Sequence, residues 1–302
     1  MQFIEAARFG VRPPRPSPAG IARFVRANLL LSLALLILGA MIVLAFIGSS
    51  IAPFDPEKPD ARAFLLAPSG SHIFGTDDKG FDIFSRAISA PKTDLTIALV
   101  ATAIGFLIGS LLGLLVGYGA GRGRLVGSAA EVLTRFMDIV QAFPVFIVAL
   151  AMVGVLGAGT DKVIYVLAFL FSPIFFRYVR AEVLLVRELT FVEAERAVGN
   201  PTRRLMFNHV LPNSVTTATV QASPAIGYAI LLTSGLSFVG AGVRPPTPEW
   251  GAMIKSGAEQ MIAGKWWASV FPGIAVGLTV FSLAIIGEAV RIRWRGAGLR
   301  GY

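Results

Sequence analysis

Six long apolar runs, separated by polar or charged segments, dominate the pattern of this chain. A helix that crosses a bilayer needs about 20 mostly apolar residues. Residues 29–51 and 95–118 meet that requirement without a single charge. Residues 136–156 meet it with Asp138 near their start, and residues 163–179 form a short run interrupted by Pro173 and Arg177. Residues 217–240 and 269–290 complete the set, the last with Glu288 at its end. The pattern predicts an all-α integral membrane protein with six transmembrane helices. The first apolar run, 23 residues after a 28-residue tail, exceeds the core of about 7–15 residues in a cleaved signal. Ser50-Ile51-Ala52 loosely mimics a cleavage site, but the length predicts a retained anchor.

The polar segments divide the chain further. Residues 1–28 form a tail with Pro13, Pro14, Pro16 and Pro18 among arginines, meeting the membrane near Arg23 and Arg26. Residues 52–94 form a long loop, residues 95–290 a core of five spans, and residues 291–302 a second tail. The long loop contains His72-Ile73-Phe74-Gly75-Thr76-Asp77-Asp78 followed by Gly80 and Asp82. That spacing fails the alternating acidic pattern of a calcium loop and predicts a structural turn. Near the end of the chain, Pro245, Pro246 and Pro248 stiffen a loop. Trp250, Trp266 and Trp267 there suit a membrane–water interface.

Composition agrees with the bilayer. The chain is 55% hydrophobic and only 15% charged, against about a quarter charged in soluble domains. Its lack of cysteine excludes disulfides, thiolate metal sites and cysteine nucleophiles. The net charge of +9 is resolved by location. The two tails and the second–third and fourth–fifth connections hold 18 Lys and Arg, the other loops 9. The positive-inside rule then places both termini in the cytoplasm. No basic patch interleaved with aromatics points to nucleic acid.

The fourth–fifth connection, residues 180–216, is too long for a loop without structure of its own. Val183, Leu184, Val186, Leu189 and Val192 lie at near-helical spacing, with Glu182, Arg187, Glu188 and Glu195 on the other face. Gly199 can take a left-handed cap, and Asn200-Pro201 turns the chain into a second, short basic helix with Arg203, Arg204 and Phe207. Leu211-Pro212-Asn213 is expected to end it. The pattern predicts a helix–glycine–helix elbow, either projecting from the membrane or lying as an amphipathic element in its interface.

No G-x-x-x-x-G-K-[ST] phosphate loop occurs. Gly117, Gly119, Gly121 and Gly123 alternate without the spacing of a dinucleotide fingerprint and follow a membrane helix, not a strand. Gly235-x-Ser237 lacks the glycine of a nucleophile elbow. His72 and His209 fall on opposite sides of the predicted membrane. The chain is therefore expected to be no enzyme, with no metal site and no cofactor. The middles of the first, second, fifth and sixth spans lack the ionisable residues common in proton-coupled carriers.

Glu193-Ala194-x-x-x-x-Gly199, followed by Leu211-Pro212, resembles the "EAA" loop of bacterial ABC importer permeases, with Glu195 where alanine is usual. His72-x-Phe74-Gly75-Thr76-Asp77-Asp78-x-Gly80-x-Asp82, Asp138-x-x-x-Ala142-Phe143-Pro144, His209-Val210-Leu211-Pro212-Asn213 and Leu236-Ser237-Phe238-x-Gly240-x-Gly242 through Trp250-Gly251 are similar to the C-type permease subunit of dipeptide/oligopeptide importers. The likeness covers nearly the whole chain after the tail. It implies a type I ABC importer permease fold in the bacterial inner membrane, moving peptides by alternating access. It also implies a heterodimer with a B-type permease, two cytoplasmic ABC ATPase subunits that hydrolyse ATP, and a periplasmic or extracellular solute-binding protein. The loop 52–94 would be periplasmic. Glu193, Ala194, Gly199, Arg203, Leu211 and Pro212 would then carry coupling to one ATPase. Resembling importers also handle nickel, glutathione or oligosaccharides, and a stand-alone channel or secondary carrier is the rival class. Thr217, Gln221, Pro224 and Tyr228 share one face of the fifth span. That face is either a neutral polar pore lining or interhelical glue. Gln141, beside Phe143-Pro144, is a second polar point on the path or a helix kink.

Overall fold

The computed structural model describes residues 28–120 and 124–298. The expectations for the first tail, for Gly121 and Gly123, and for the chain after Gly298 lie outside the described residues. Among the described residues eleven α-helices carry the fold, numbered in chain order. They are α1 (Leu29–Ile51), α2 (Ile83–Gly119), α3 (Arg124–Ala142), α4 (Val145–Leu156) and α5 (Thr160–Val186). They continue with α6 (Thr190–Ala197), α7 (Thr202–Arg204), α8 (Leu211–Ser214), α9 (Thr216–Val239), α10 (Trp250–Gln260) and α11 (Trp267–Gly298). A π-helical turn, Leu205–Val210, joins α7 to α8. Among the described residues there is no β-strand, only a bridge between Thr76 and Asp82.

Five single helices (α1, α2, α5, α9 and α11) are long and apolar enough to cross a membrane, and α3 with α4 makes a sixth, broken candidate. The predicted third span is not one straight helix: the chain bends by 96° between Gly127–Ala142 and Val145–Leu156. Proline at 144 sets the break, because it restricts Phe143 before it and opens α4 after it.

The fourth span corrects the expected interruption. Helix α5 runs unbroken through Pro173 and Arg177. Proline removes one backbone donor and leaves the carbonyl four residues earlier without a partner. Ser172 Oγ donates to that carbonyl, Phe169 O, at 2.8 Å. The second span is also longer than its apolar run. Helix α2 starts at Ile83, where Asp82 caps it by accepting from Ser85 N at 2.7 Å. Inside it Pro91 orphans Ala87 O, and the indole Nε1 of Trp250 donates to that oxygen at 3.1 Å. Trp250 is thus fully buried, and Trp267, 6% exposed, donates to Thr76 O. Of the three expected interface tryptophans only Trp266 is exposed. An indole is amphipathic enough for the interface, but it also serves as a long-reach donor to an orphaned carbonyl.

The close pair at the centre is α2 with α5. Gly105, Gly109, Gly113 and Gly117 recur every fourth residue and so form one stripe along α2. A β-carbon at Gly109 would meet Ser172 O and would stand 2.7 Å from Phe176 N. One at Gly113 would lie 2.8 Å from Phe176 O, and one at Gly117 2.8 Å from Val183 Cγ1. The α5 backbone therefore rests directly on the stripe. In lipid, where no hydrophobic force drives helices together, such close packing supplies the association. Phe171, Phe175, Val179 and Val183 on α5 are completely buried around it. In contrast, only 6% of the apolar window of α1 is buried, so this helix lies at the edge, held where Gly48 rests on the backbone at Ile88.

Two substitutions test this packing. Gly109→Val pushes a branched side chain into the α5 backbone and is expected to destabilise the fold by about 1–3 kcal/mol or more. Trp250→Phe keeps most of the ring but strands Ala87 O and is expected to cost about 1–3 kcal/mol. Thermal unfolding in detergent measures both, and wild-type midpoints would contradict the contacts described.

Candidate functional site: the polar elbow and the polar face of α9

The connection 180–216 forms two helical arms that meet at Gly199. The first is α6. Gly199 has φ +87°, its N–H bonds Arg196 O at 3.0 Å, and the next N–H, of Asn200, bonds Glu195 O at 3.2 Å. That pair of bonds is the Schellman arrangement, and the positive φ is why glycine stands there. The second arm runs from Thr202 through the π turn to Ser214. The sequence reading ended it at Leu211-Pro212, but the helix continues past Pro212 to Ser214. The wider π turn before it, closed by Leu211 N–H to Met206 O, accommodates the missing proline N–H within a helical path.

One face of the elbow is seated on the bundle. Val192, Leu205, Met206, Val210 and Ser214 are buried. The opposite face carries Glu193, Ala194, Arg203 and Pro212, all exposed, with Val198 83% and Phe207 40% exposed. Leu211 is half-buried between the two faces. Glu195 turns inward to Asn200, and its Oε2 lies 4.0 Å from His209 Nε2. In this chain Glu195 therefore braces one arm against the other.

Two polar contacts tie together the long helices between which the elbow is strung. Arg187 Nη1 donates to Gly117 O at 2.9 Å and Ala120 O at 2.7 Å, serving carbonyls that the end of α2 leaves open. Glu182 Oε1 accepts from Thr217 Oγ1 at 2.6 Å, tying the end of α5 to the start of α9. Thr217, expected on a polar path, is engaged there.

The remaining path candidates lie on two elements, α9 and the end of α3. On α9, Gln221 is half-buried, and Tyr228 is 42% exposed with its ring over Phe171 at 6.0 Å. Pro224 packs on α11, where a β-carbon at Gly287 would stand 2.8 Å from its Cδ. Gln141 lines a separate cavity of about 320 Å³ with Leu170, Ile174, Arg177 and Tyr178. Arg177 is held at 3.1 Å by Asp138.

The other end of the bundle was less legible from sequence. His72 Nδ1 contacts the capping Asp82 at 2.8 Å, under the ring of Phe54. Asp77 accepts from the N–H groups of Lys79 and Phe81, both at 2.9 Å, which bears out a structural turn. Burial pushes the Asp77 carboxyl up against those bonds. Helix α10 was not predicted at all. Glu249 caps it by accepting from Gly251 N at 2.8 Å and Ala252 N at 2.7 Å. Glu249 is completely buried, and that burial pushes its carboxyl up. The signal was Glu249 just before an apolar-periodic run, but three prolines immediately upstream masked it. A groove of about 660 Å³ opens nearby, lined by Asp55, Glu57, Lys92, Thr96, Thr160 and Thr247 among others.

Residues 109–296, which hold the elbow, α9 and most of the helices around the glycine stripe, match the family described as binding-protein-dependent transport system inner membrane component. The chain belongs to that family. It is a multi-pass permease subunit of an ABC-type importer in the inner membrane, and such permeases work with a partner permease, an ATPase and a binding protein. The permease is 34% identical over 270 residues to the glutathione transport system permease protein GsiD of Pectobacterium atrosepticum, covering 89% of this chain and 87% of that one. It is 34% identical over 284 residues to the probable D,D-dipeptide transport system permease protein DdpC of Escherichia coli, covering 93% of each. Its fold resembles the MetNI methionine ABC transporter in inward-facing conformations, with a TM-score of 0.51 at 20% identity over 68% of this chain and 96% of that one. An amino acid ABC transporter crystallised with histidines gives a TM-score of 0.51 at 13% identity over 69% and 94%. The type I permease fold expected from the motifs is thus observed.

The contact that seats the elbow in the permease can be tested directly. Arg187→Ala removes a charge-assisted donor shared by two carbonyls and is expected to cost about 1.5–3 kcal/mol. Arg187→Lys is expected to recover part of that loss. Thermal midpoints of the purified protein in detergent measure both, and equal midpoints for wild type and alanine variant would contradict it.

Proposed function

We propose that the permease imports small peptides and that residues 180–216 are its coupling loop. Both termini and the elbow face the cytoplasm in this reading, supported by the 18-to-9 distribution of Lys and Arg. The partners are a B-type permease forming a heterodimer, two cytoplasmic ATPases, and a solute-binding protein on the far side. One ATPase grips the outward face of the elbow: Glu193, Ala194 and Arg203, with Gly199 fixing the angle between the arms and Leu211-Pro212 carrying the second arm into α9. ATP-driven closure of the ATPases moves the elbow, and hydrolysis resets it. A ligand shifts such an equilibrium only through contacts that differ between the two states.

The observation that carries the reading is the two-sidedness of the elbow. Its outer face is open, its inner face is buried through Val192, Leu205, Met206 and Val210, and the ends of α2, α5 and α9 on which it sits are tied together by Arg187 and by Glu182–Thr217. A push on the open face therefore reaches the membrane helices through hydrogen bonds and packed side chains. Gln221, Tyr228 and Gln141 are assigned to the solute path as neutral hydrogen-bonding points, and Thr217 marks its elbow end. Peptide cargo is supported by the glutathione and D,D-dipeptide relatives, two solutes that share an amide-linked backbone with charged ends.

Ala194→Trp places a large ring on the open face, and Gly199→Arg strains the left-handed cap. Each is expected to lower ATP-dependent uptake at least tenfold, about 1.4 kcal/mol or more in the coupled step, while membrane insertion stays normal. Uptake into vesicles holding the full importer measures this, with antibody detection of the inserted protein as control. Wild-type transport by both variants would sink the coupling assignment.

A further inference from the structure

We propose that Asp94 of α2 and Glu249 at the start of α10 bind one proton between them, and that this shared proton fastens α10 to α2. Both residues are completely buried, and Asp94 Oδ2 accepts from the N–H of Trp250, the residue next to Glu249, which sets the two carboxyls side by side at the start of α10. The donors are unevenly divided. Glu249 accepts from the N–H groups of Gly251 and Ala252 and from the Ser237 hydroxyl. Asp94 Oδ2 accepts from Trp250 N at 3.2 Å, while Asp94 Oδ1 has no donor at all. Two carboxylates in contact away from water cannot both be ionised, so the pair retains a proton. The geometry puts it on Asp94 Oδ1, from which it is donated to the Glu249 carboxylate. The helix N-terminus and its N–H groups stabilise the negative charge on Glu249.

No cation competes for the site. Arg86, on the same helix as Asp94, is close enough for its charge to be felt at Glu249, but it donates to Pro56 O and Pro246 O. Lys92 is exposed on the wall of the outer groove. Lys255 of α10 reaches toward Gly240. Helix α9 contributes Ser237, and α11 carries no ionisable residue before Glu288.

A group that binds its proton more tightly in the folded state makes the fold lose stability as pH rises from the ordinary carboxylate range to the raised value. The proton belongs to the pair as a unit, and the burial that pushes the Glu249 carboxyl up favours keeping it, so the clamp is intact in acid and opens in alkali. Above that window two facing negative charges push α10 off α2, releasing Trp250 as well. The clamp thus adds a pH dependence to the end of the bundle opposite the elbow, independent of the peptide-import reading.

The test uses the full-length chain in detergent, with unfolding midpoints followed from about pH 5 to about pH 9. Wild type is expected to lose roughly 3–6 °C of midpoint across that range as the shared proton leaves. Asp94→Asn is expected to lose much less, because its amide donates to Glu249 at every pH. Parallel curves for the two proteins overturn the proposal. A second readout needs no variant: infrared spectra of wild type at neutral pH should contain a protonated-carboxyl band that bleaches on raising the pH. Absence of that band overturns the proposal even if Asp94→Asn fails to fold.

Discussion

The α2–α5 contact is the constraint on which the remaining architecture rests. Four glycines on one stripe bring the two backbones together where any side chain would hold them apart. Because the approach is backbone to backbone, register and crossing are fixed together, and the other helices arrange themselves around the result. The end of α2 then stands where Arg187 can reach its last carbonyls, and the start of α2 stands where Trp250 can reach Ala87 O. Both ends of the bundle inherit their positions from one contact.

Proline is handled in different ways along the helices. Two of the breaks in the backbone ladder are repaired by a side-chain donor. Ser172 repairs the gap at Pro173, and Trp250 the gap at Pro91. The π turn absorbs Pro212, and only at Phe143-Pro144 does the chain bend away. In a bilayer an unserved carbonyl is too costly to leave exposed. A proline in such a sequence therefore marks either a bend or a nearby donor, and the sequence does not say which.

That ambiguity explains which parts of the fold could be read in advance. Apolar run length located α1, α9 and the start of α11 closely, since lipid imposes that length directly. It underestimated α2 and α5, whose polar ends continue as helix because caps and tertiary donors sustain them. The Gly199 cap was readable because only a left-handed residue closes that motif. Helix α10 and the burial of Trp250 were not, because they depend on partners 156 and 163 residues away in sequence. The glycine stripe was present in the sequence at four-residue intervals, but the alternating glycines from Gly117 onward, a different pattern, drew attention from it. On α9 helical periodicity puts Thr217, Gln221, Pro224 and Tyr228 on one side of a continuous helix. The first of these, Thr217, proved to be committed to Glu182, a pairing that spacing alone does not reveal.

Helix α2 has 37 residues, or about 55 Å at 1.5 Å per residue, nearly twice the thickness of the hydrocarbon layer. As one continuous helix it has the geometry of a lever longer than the layer it crosses. A tilt of about 10° about its midpoint would swing each tip by roughly 5 Å, in opposite directions. A modest displacement beside Gly117 would therefore arrive at Asp82 inverted and undiminished, with no chain of intermediate rearrangements to carry it.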